Sequence, residues 1–194
     1  MPGPAKTLSP SAEKTVLTHI AAERARSFKR DRVIVLLSWR AGLRACELVG
    51  LTWADVCDAE GQLTDQVRVR RLTTKGKTWT RYIPMHPELR VALEDHRPRR
   101  APLSTPIVLN RSRAQLTANA LAVWFRRLYS DAGIEGCSSH SGRRTFITNA
   151  ARRCSDVGAS IEDVRQLAGH ALLSTTADYI DPNSEAKRSL VASI

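Results

Sequence analysis

Residues 139–180 read SHSGRRTFITNAARRCSDVGASIEDVRQLAGHALLSTTADYI, and the rest of the chain takes its meaning from them. The stretch sets out His140, Arg143, His170 and Tyr179 in that order. A helix starting near His140 puts Arg143 one turn on, over the same surface patch, because residues three apart are neighbours on a helix. Ser160 and Asp163 form a capping-box pattern. The helix it opens has Ile161, Val164, Leu167 and Ala168 on its apolar face and Gly169 at its end. His170 is thereby held just past a helix terminus. A further start at Ser174 or Thr175, with Asp178 available to cap, puts Tyr179 on a short helix. A phenol is thus presented beside three side chains that suit a phosphate.

Singly, these features are common. With 5 His and 24 Arg in 194 residues, about 0.6 His-x-x-Arg pairs arise by chance, so the order and spacing of all four groups carry the argument. A Tyr after a polar turn is usually an amphipathic surface or core residue with its hydroxyl bonded. Taken together, the stretch resembles the C-terminal signature of tyrosine recombinases of the phage-integrase type: His-x-x-Arg, then Leu-x-Gly-His, then a Tyr nine residues later. Leu167-Ala168-Gly169-His170 and Tyr179 match it directly. An upstream box of the family resembles Gly-Leu-Arg-x-x-Glu-Leu, and this chain has Gly42-Leu43-Arg44-Ala45-Cys46-Glu47-Leu48.

Composition agrees with a polyanionic partner. The chain carries 30 Lys+Arg against 19 Asp+Glu, a net charge of +11, and the excess is spread along it, as expected of a charged surface built by the fold. At 194 residues and 42% hydrophobic content it is long enough for one domain with a proper core. Cys46, Cys57, Cys137 and Cys154 have neither Cys-x-x-Cys spacing nor a zinc-finger His, so neither a disulfide framework nor a metal site is expected, and no cofactor is called for. No apolar run reaches membrane-spanning length and the first thirty residues lack a signal-peptide core, which makes a soluble, cytoplasmic protein the expectation.

Along the chain, residues 1–7 are expected to be a flexible arm. Ser9 or Ser11 caps a first helix with Val16, Leu17, Ile20 and Ala21 as its stripe, and residues 24–30 form a charged connection. A second helix from about Asp31 is apolar nearly all round over Val33 to Leu37, predicting passage through the core, and Gly42 breaks it. Arg44 and Glu47 lie three apart at the next helical turn, where an exposed ion pair contributes only a few tenths of a kcal/mol. Between Asp65 and Pro84 the period becomes two, with Val67 and Val69 alternating with Arg68 and Arg70, which predicts a β-hairpin around Thr73, Thr74, Lys75 and Gly76. Pro87 opens a helix to about His96, and residues 97–102 are a loop rich in Pro and Arg. Ile107 to Leu109 is a candidate strand. Thr117 caps a helix with Leu121, Trp124, Phe125 and Leu128 at core spacing, so Trp124 is expected in the core. Ser184 starts a last short helix carrying Leu190 and Val191.

The resemblance implies an α+β fold, mainly helical with a small antiparallel sheet or hairpin. It covers about residues 8 to 192, with 8–183 as the catalytic domain, 184–194 as a C-terminal tail helix, and no N-terminal core-binding domain, as in the short single-domain recombinases or in a piece of a longer protein. It implies site-specific recombination of double-stranded DNA by cutting and rejoining through a 3′-phosphotyrosyl intermediate, within a self-associated synaptic tetramer. The alternatives are a type IB topoisomerase-like nicking-closing enzyme and an inactive DNA-binding regulator; a host and a mobile-element role are not distinguished. Carried over by residue, Arg44 and Arg143 bind the phosphate as bidentate forks, Glu47 orients Arg44, and Tyr179 is the nucleophile. Lys75, preferred over Lys77 because it precedes Gly76, protonates the departing 5′ oxygen. His140 accepts the phenolic proton or bonds the phosphate, and His170 donates a further hydrogen bond. Arg144, where many relatives have a second His, adds a cation. No carboxylate cluster offers two-metal coordination.

Overall fold

The computed structural model describes residues 5–70, 79–98, 101–179, 188–189 and 191–192. Helix α1 (Pro10–Glu23) starts where the Ser9 hydroxyl accepts from the Ala12 N–H at 3.2 Å, and it buries Val16 and Ile20. Helix α2 (Phe28–Arg40) is the central rod. Val33 to Leu37 are all buried, because α2 packs against α1, α3 (Ala45–Gly50), α4 (Pro87–His96) and α6 (Ser141–Arg153). An all-round apolar run is stable only with neighbours on every side. Helix α2 begins three residues before the expected Asp31. A single 3₁₀ turn, Ala25–Ser27, feeds it, and Asp31 lies buried in its first turn, accepting from the Ser27 hydroxyl at 2.9 Å and from Arg30 Nε at 2.8 Å. A paired anion there suits a helix N-terminus.

The hairpin is present as β1 (Gln66–Val69) antiparallel to β2 (Arg81–Pro84), with Val67 opposite Ile83 and Val69 opposite Arg81. These four face the core, whereas Arg68 and Tyr82 face outward. The turn with Lys75 and Lys77 lies outside the described residues. Ile107 and Val108 are buried but form no strand. Thr52 with Pro106 and Leu109 with Gln115 make isolated bridges, and Pro106 has no N–H with which to extend a ladder. Helix α5 (Ala118–Asp131) has the expected Thr117 cap and buries Leu121, Phe125 and Leu128. Trp124 is only partly buried at the core edge, edge-on to Phe125 and under the Arg24 guanidinium. The buried aromatics of α5 are instead Phe125 and Tyr129, and the Tyr129 hydroxyl accepts from Trp39 Nε1 at 3.2 Å.

Helix α6 meets α2 closely because two glycines permit it. A Cβ on Gly142 would lie 2.3 Å from Ser38 Oγ and 2.4 Å from Trp39 Cδ1. One on Gly42, whose φ is +61°, would lie 2.4 Å from Phe146. Helix α7 (Ile161–Ala168) opens on the expected capping box, with the Asp163 carboxylate accepting from the Ser160 N–H at 2.7 Å, and stops at left-handed Gly169. It forms a smaller core with Ile147, against which Phe146 and Tyr179 pack. Helix α8 (Leu173–Ala177) starts one or two residues earlier than expected and without a side-chain cap, and Asp178 ends it, so Tyr179 stands in the turn just after the helix rather than on it as expected. So short a helix is held by tertiary contacts rather than by its cap. The Ser184 start and Leu190 of the tail lie outside the described residues, while Val191 is described and exposed. The four cysteines are free thiols. No helix among the described residues is long and apolar enough to cross a membrane.

Candidate active site

Arg44 stands at the N-terminus of α3, and Glu47 lies beneath the first turn, wholly buried. Glu47 Oε2 accepts from the Arg44 backbone N–H at 2.9 Å, and Oε1 accepts from Arg44 Nη1 at 3.0 Å. Arg81 then supplies a fork, with Nη1 donating to Oε1 at 2.9 Å and Nη2 to Oε2 at 2.8 Å. Burial alone would raise the carboxyl pKa. The Arg81 bonds and charge, the Arg44 N–H and the charge of Arg143 outweigh it and hold Glu47 below the usual carboxylate range. The exposed i,i+3 ion pair weighed from sequence is thus a buried carboxylate with four N–H donors.

Arg143 sits in the first turn of α6 but turns inward and is buried, whereas His140, the residue before the helix, is exposed. The two do not share one surface patch as expected, because Arg143 finds carbonyl partners in the interior. Its Nη1 donates to Gly42 O and its Nη2 to Ala168 O, each at 2.6 Å. One carbonyl closes the break after α2 and the other ends α7, so Arg143 joins the two halves of the site. Burial, then the charges of Arg44 and Arg81, push its pKa down to about 9 against the opposing pull of Glu47 and Tyr179. It stays protonated at neutral pH. Three guanidinium groups, Arg44, Arg81 and Arg143, therefore share one carboxylate. That leaves a surplus of positive charge in a water-poor setting, where an anion is bound more strongly than in water.

Gly169 adopts φ +64°, and a Cβ there would lie 2.8 Å from Arg81 Nη1, so only glycine lets this turn rest on Arg81. His170 follows, buried, with Nδ1 3.0 Å from the hydroxyl of buried Thr176 in α8 and its carbonyl accepting from Arg165 Nη1 at 2.5 Å. Burial, then Arg143, Arg44, Arg81 and Arg165, push the His170 pKa down to about 4, so the imidazole is neutral at pH 7. The Tyr179 ring stacks on that imidazole at 5.6 Å between centroids and 29° between planes. The Arg144 guanidinium lies 5.3 Å from the Tyr179 centroid, a cation–π contact.

This geometry carries a pH prediction. The unfolded chain protonates His170 at an ordinary value and the folded chain only near pH 4, so the unfolded state binds more protons between about 6.5 and 4. Stability from His170 is complete above that window and is lost as pH falls through it. The thermal midpoint of the DNA-free protein is expected to drop across it, and His170→Gln to flatten the drop. Equal slopes for the two proteins would remove His170 as the cause.

The fold therefore brings together Arg44, Glu47, Arg143, Arg144, His170 and Tyr179 and leaves His140 at the exposed entry of α6. Lys75 and Lys77 lie outside the described residues. Sequence reasoning missed Arg81, Thr176 and Arg165. A signal existed for Arg81: it shares the register of Ile83 on the buried face of β2, and an inward arginine requires a partner. Thr176 had none, since its role depends on how α8 folds back.

The chain belongs to the phage integrase family, whose model matches residues 7–186. Among its relatives, tyrosine recombinase XerC of Syntrophus aciditrophicus is 27% identical over 77% of this chain and 48% of that protein. Tyrosine recombinase XerA of Thermococcus kodakarensis is 32% identical over 90% of this chain and 57% of that protein. The chain thus spans about half the length of these relatives. The Tn1549 transposon integrase in complex with a circular intermediate DNA superposes with a TM-score of 0.74 at 21% identity, covering 99% of this chain and 67% of that one. The XerA recombinase crystal structure gives 0.70 at 24% identity, covering 98% and 66%.

Proposed function

We propose that this chain is the DNA-cutting unit of a tyrosine-type site-specific recombinase, with residues 8–183 as the catalytic domain and 184–194 as a tail. The observation that carries the reading is the surplus of buried guanidinium charge beside a tyrosine stacked on a neutral histidine. The scissile phosphate of double-stranded DNA takes that charge. Arg143 uses two of its five N–H donors on carbonyls, which leaves three for phosphoryl oxygens. Tyr179 Oη attacks phosphorus, forming the phosphotyrosyl bond as the bond to the 5′ oxygen breaks. The arginines stabilise the charge that grows on the non-bridging oxygens. The Thr176 hydroxyl, donating to His170 Nδ1, leaves the proton on Nε2 for a bond to the phosphate. His140, at the open edge, takes the phenolic proton. A 5′ hydroxyl of another strand reverses the steps, and because the ester conserves the bond energy no nucleotide cofactor is consumed. Exchanging four strands requires four tyrosines, hence a tetramer on two sites. The recombinase and integrase relatives support this reading over a topoisomerase-like or an inactive one. Wild-type protein on a nicked suicide duplex should give a covalent adduct through the 3′ phosphate. Tight DNA binding with no adduct under any condition would leave the inactive-regulator reading.

Lys75 is proposed as the general acid for the 5′ oxygen. The support is that β2 emerges from its turn at Arg81, already inside the site. A 5′-phosphorothiolate at the scissile bond supplies a leaving group that needs no proton. Lys75→Ala is expected to cleave ordinary DNA poorly and the sulfur substrate at nearly the wild-type rate. If Lys77→Ala is the variant rescued, the assignment passes to Lys77.

A further inference from the structure

Arg81 opens β2 and is buried, and no step of the proposed chemistry uses it. Its fork holds both oxygens of Glu47, the carboxylate on which Arg44 rests. Its Nε donates to Leu167 O at 3.1 Å, one residue before the Ala168 carbonyl that takes Arg143 Nη2. Two residues upstream, the Trp79 ring lies 5.3 Å from the guanidinium carbon of Arg165, whose Nη1 holds His170 O. The chain entering β2 thus bonds the start of the 167–170 turn directly and reaches its end through Arg165. Without Arg81, the buried Glu47 would retain free lone pairs, with the charge of Arg143 nearby but engaged on two carbonyls, and the guanidinium already bonded to it would be that of Arg44. It would draw that guanidinium into a fork of its own and away from any other anion.

We propose that Arg81 is a positioning residue: by occupying Glu47 and bracing the end of α7, it keeps Arg44 and Arg143 presented to phosphate, so the phosphate site is complete only when β2 is seated. This rests on the phosphotyrosyl reading above. A lysine could neutralise Glu47 but could not make the fork and the carbonyl bond together.

The test uses wild type, Arg81→Lys, and the double variant Arg81→Gln with Glu47→Gln, which removes the buried unpaired charge. Each is checked for folding by circular dichroism and thermal melting. Single-turnover cleavage is measured on an ordinary duplex and on one with a neutral methylphosphonate at the scissile position, where there is less charge for the arginines to neutralise. Arg81→Lys is expected to cleave the ordinary duplex about a hundredfold more slowly, the loss typical of a misplaced oxyanion donor. On the methylphosphonate it should stay within about threefold of wild type. The double variant should show the same selectivity. Equal losses on the two substrates, no loss on either, or failure of both variants to fold would each make Arg81 an ordinary core residue and overturn the inference. A wild type that forms no adduct at all instead removes the phosphotyrosyl reading, and this inference with it.

Discussion

Tyr179→Phe abolishes the covalent protein–DNA adduct while leaving duplex binding within a few-fold of wild type. The loss should be at least about a thousandfold, roughly 4 kcal/mol of barrier, because phenylalanine has no oxygen with which to form the ester. Binding should survive because the ring remains. It packs on the smaller core and stacks on His170, with Arg144 above it, and phenylalanine keeps all three contacts. The removed hydroxyl contributes to none of them. The measurement is denaturing gel separation of protein linked to a labelled nicked duplex, with binding followed separately by fluorescence anisotropy at fixed salt, since phosphate contacts are salt-dependent. Adduct formation by the phenylalanine variant would transfer the nucleophile to another residue.

Arg143→Lys should be nearly as severe although the charge is kept. The arginine holds Gly42 O and Ala168 O at once, through nitrogens on opposite arms of a planar group, and an ammonium on a flexible stem cannot reproduce that span. One buried carbonyl loses its partner, at a cost of about 1–3 kcal/mol in stability. Single-turnover cleavage should fall about 10²- to 10³-fold. The two effects separate experimentally: the stability loss appears in the melt of the DNA-free protein, the catalytic loss in cleavage at a temperature where the variant is fully folded. A cleavage rate within about threefold of wild type, near 0.6 kcal/mol, would remove Arg143 from the reaction.

Local physics was legible in the chain because it acts over short spans. Ser9, Thr117 and the Ser160–Asp163 box start their helices where they stand, since a cap needs only its own next three residues. Val33 to Leu37 required a surrounded helix, and the alternation at Val67 and Val69 required a strand with one buried face. The order of the two boxes, from Arg44 to Tyr179, pointed to the family. Contacts between distant segments were decided only by tertiary structure. Arg143 turns inward because the carbonyls of Gly42 and Ala168, 101 and 25 residues away, meet it there. Glu47 is buried because Arg81 neutralises it from another element. His170 is neutral because its ring is desolvated and, beyond that, faces four arginines, from the start of α3 and from α6, β2 and α7. A pattern of spacings states which side chains are available. The charge each carries, and the direction it faces, depend on the dielectric and partners that the packed fold supplies.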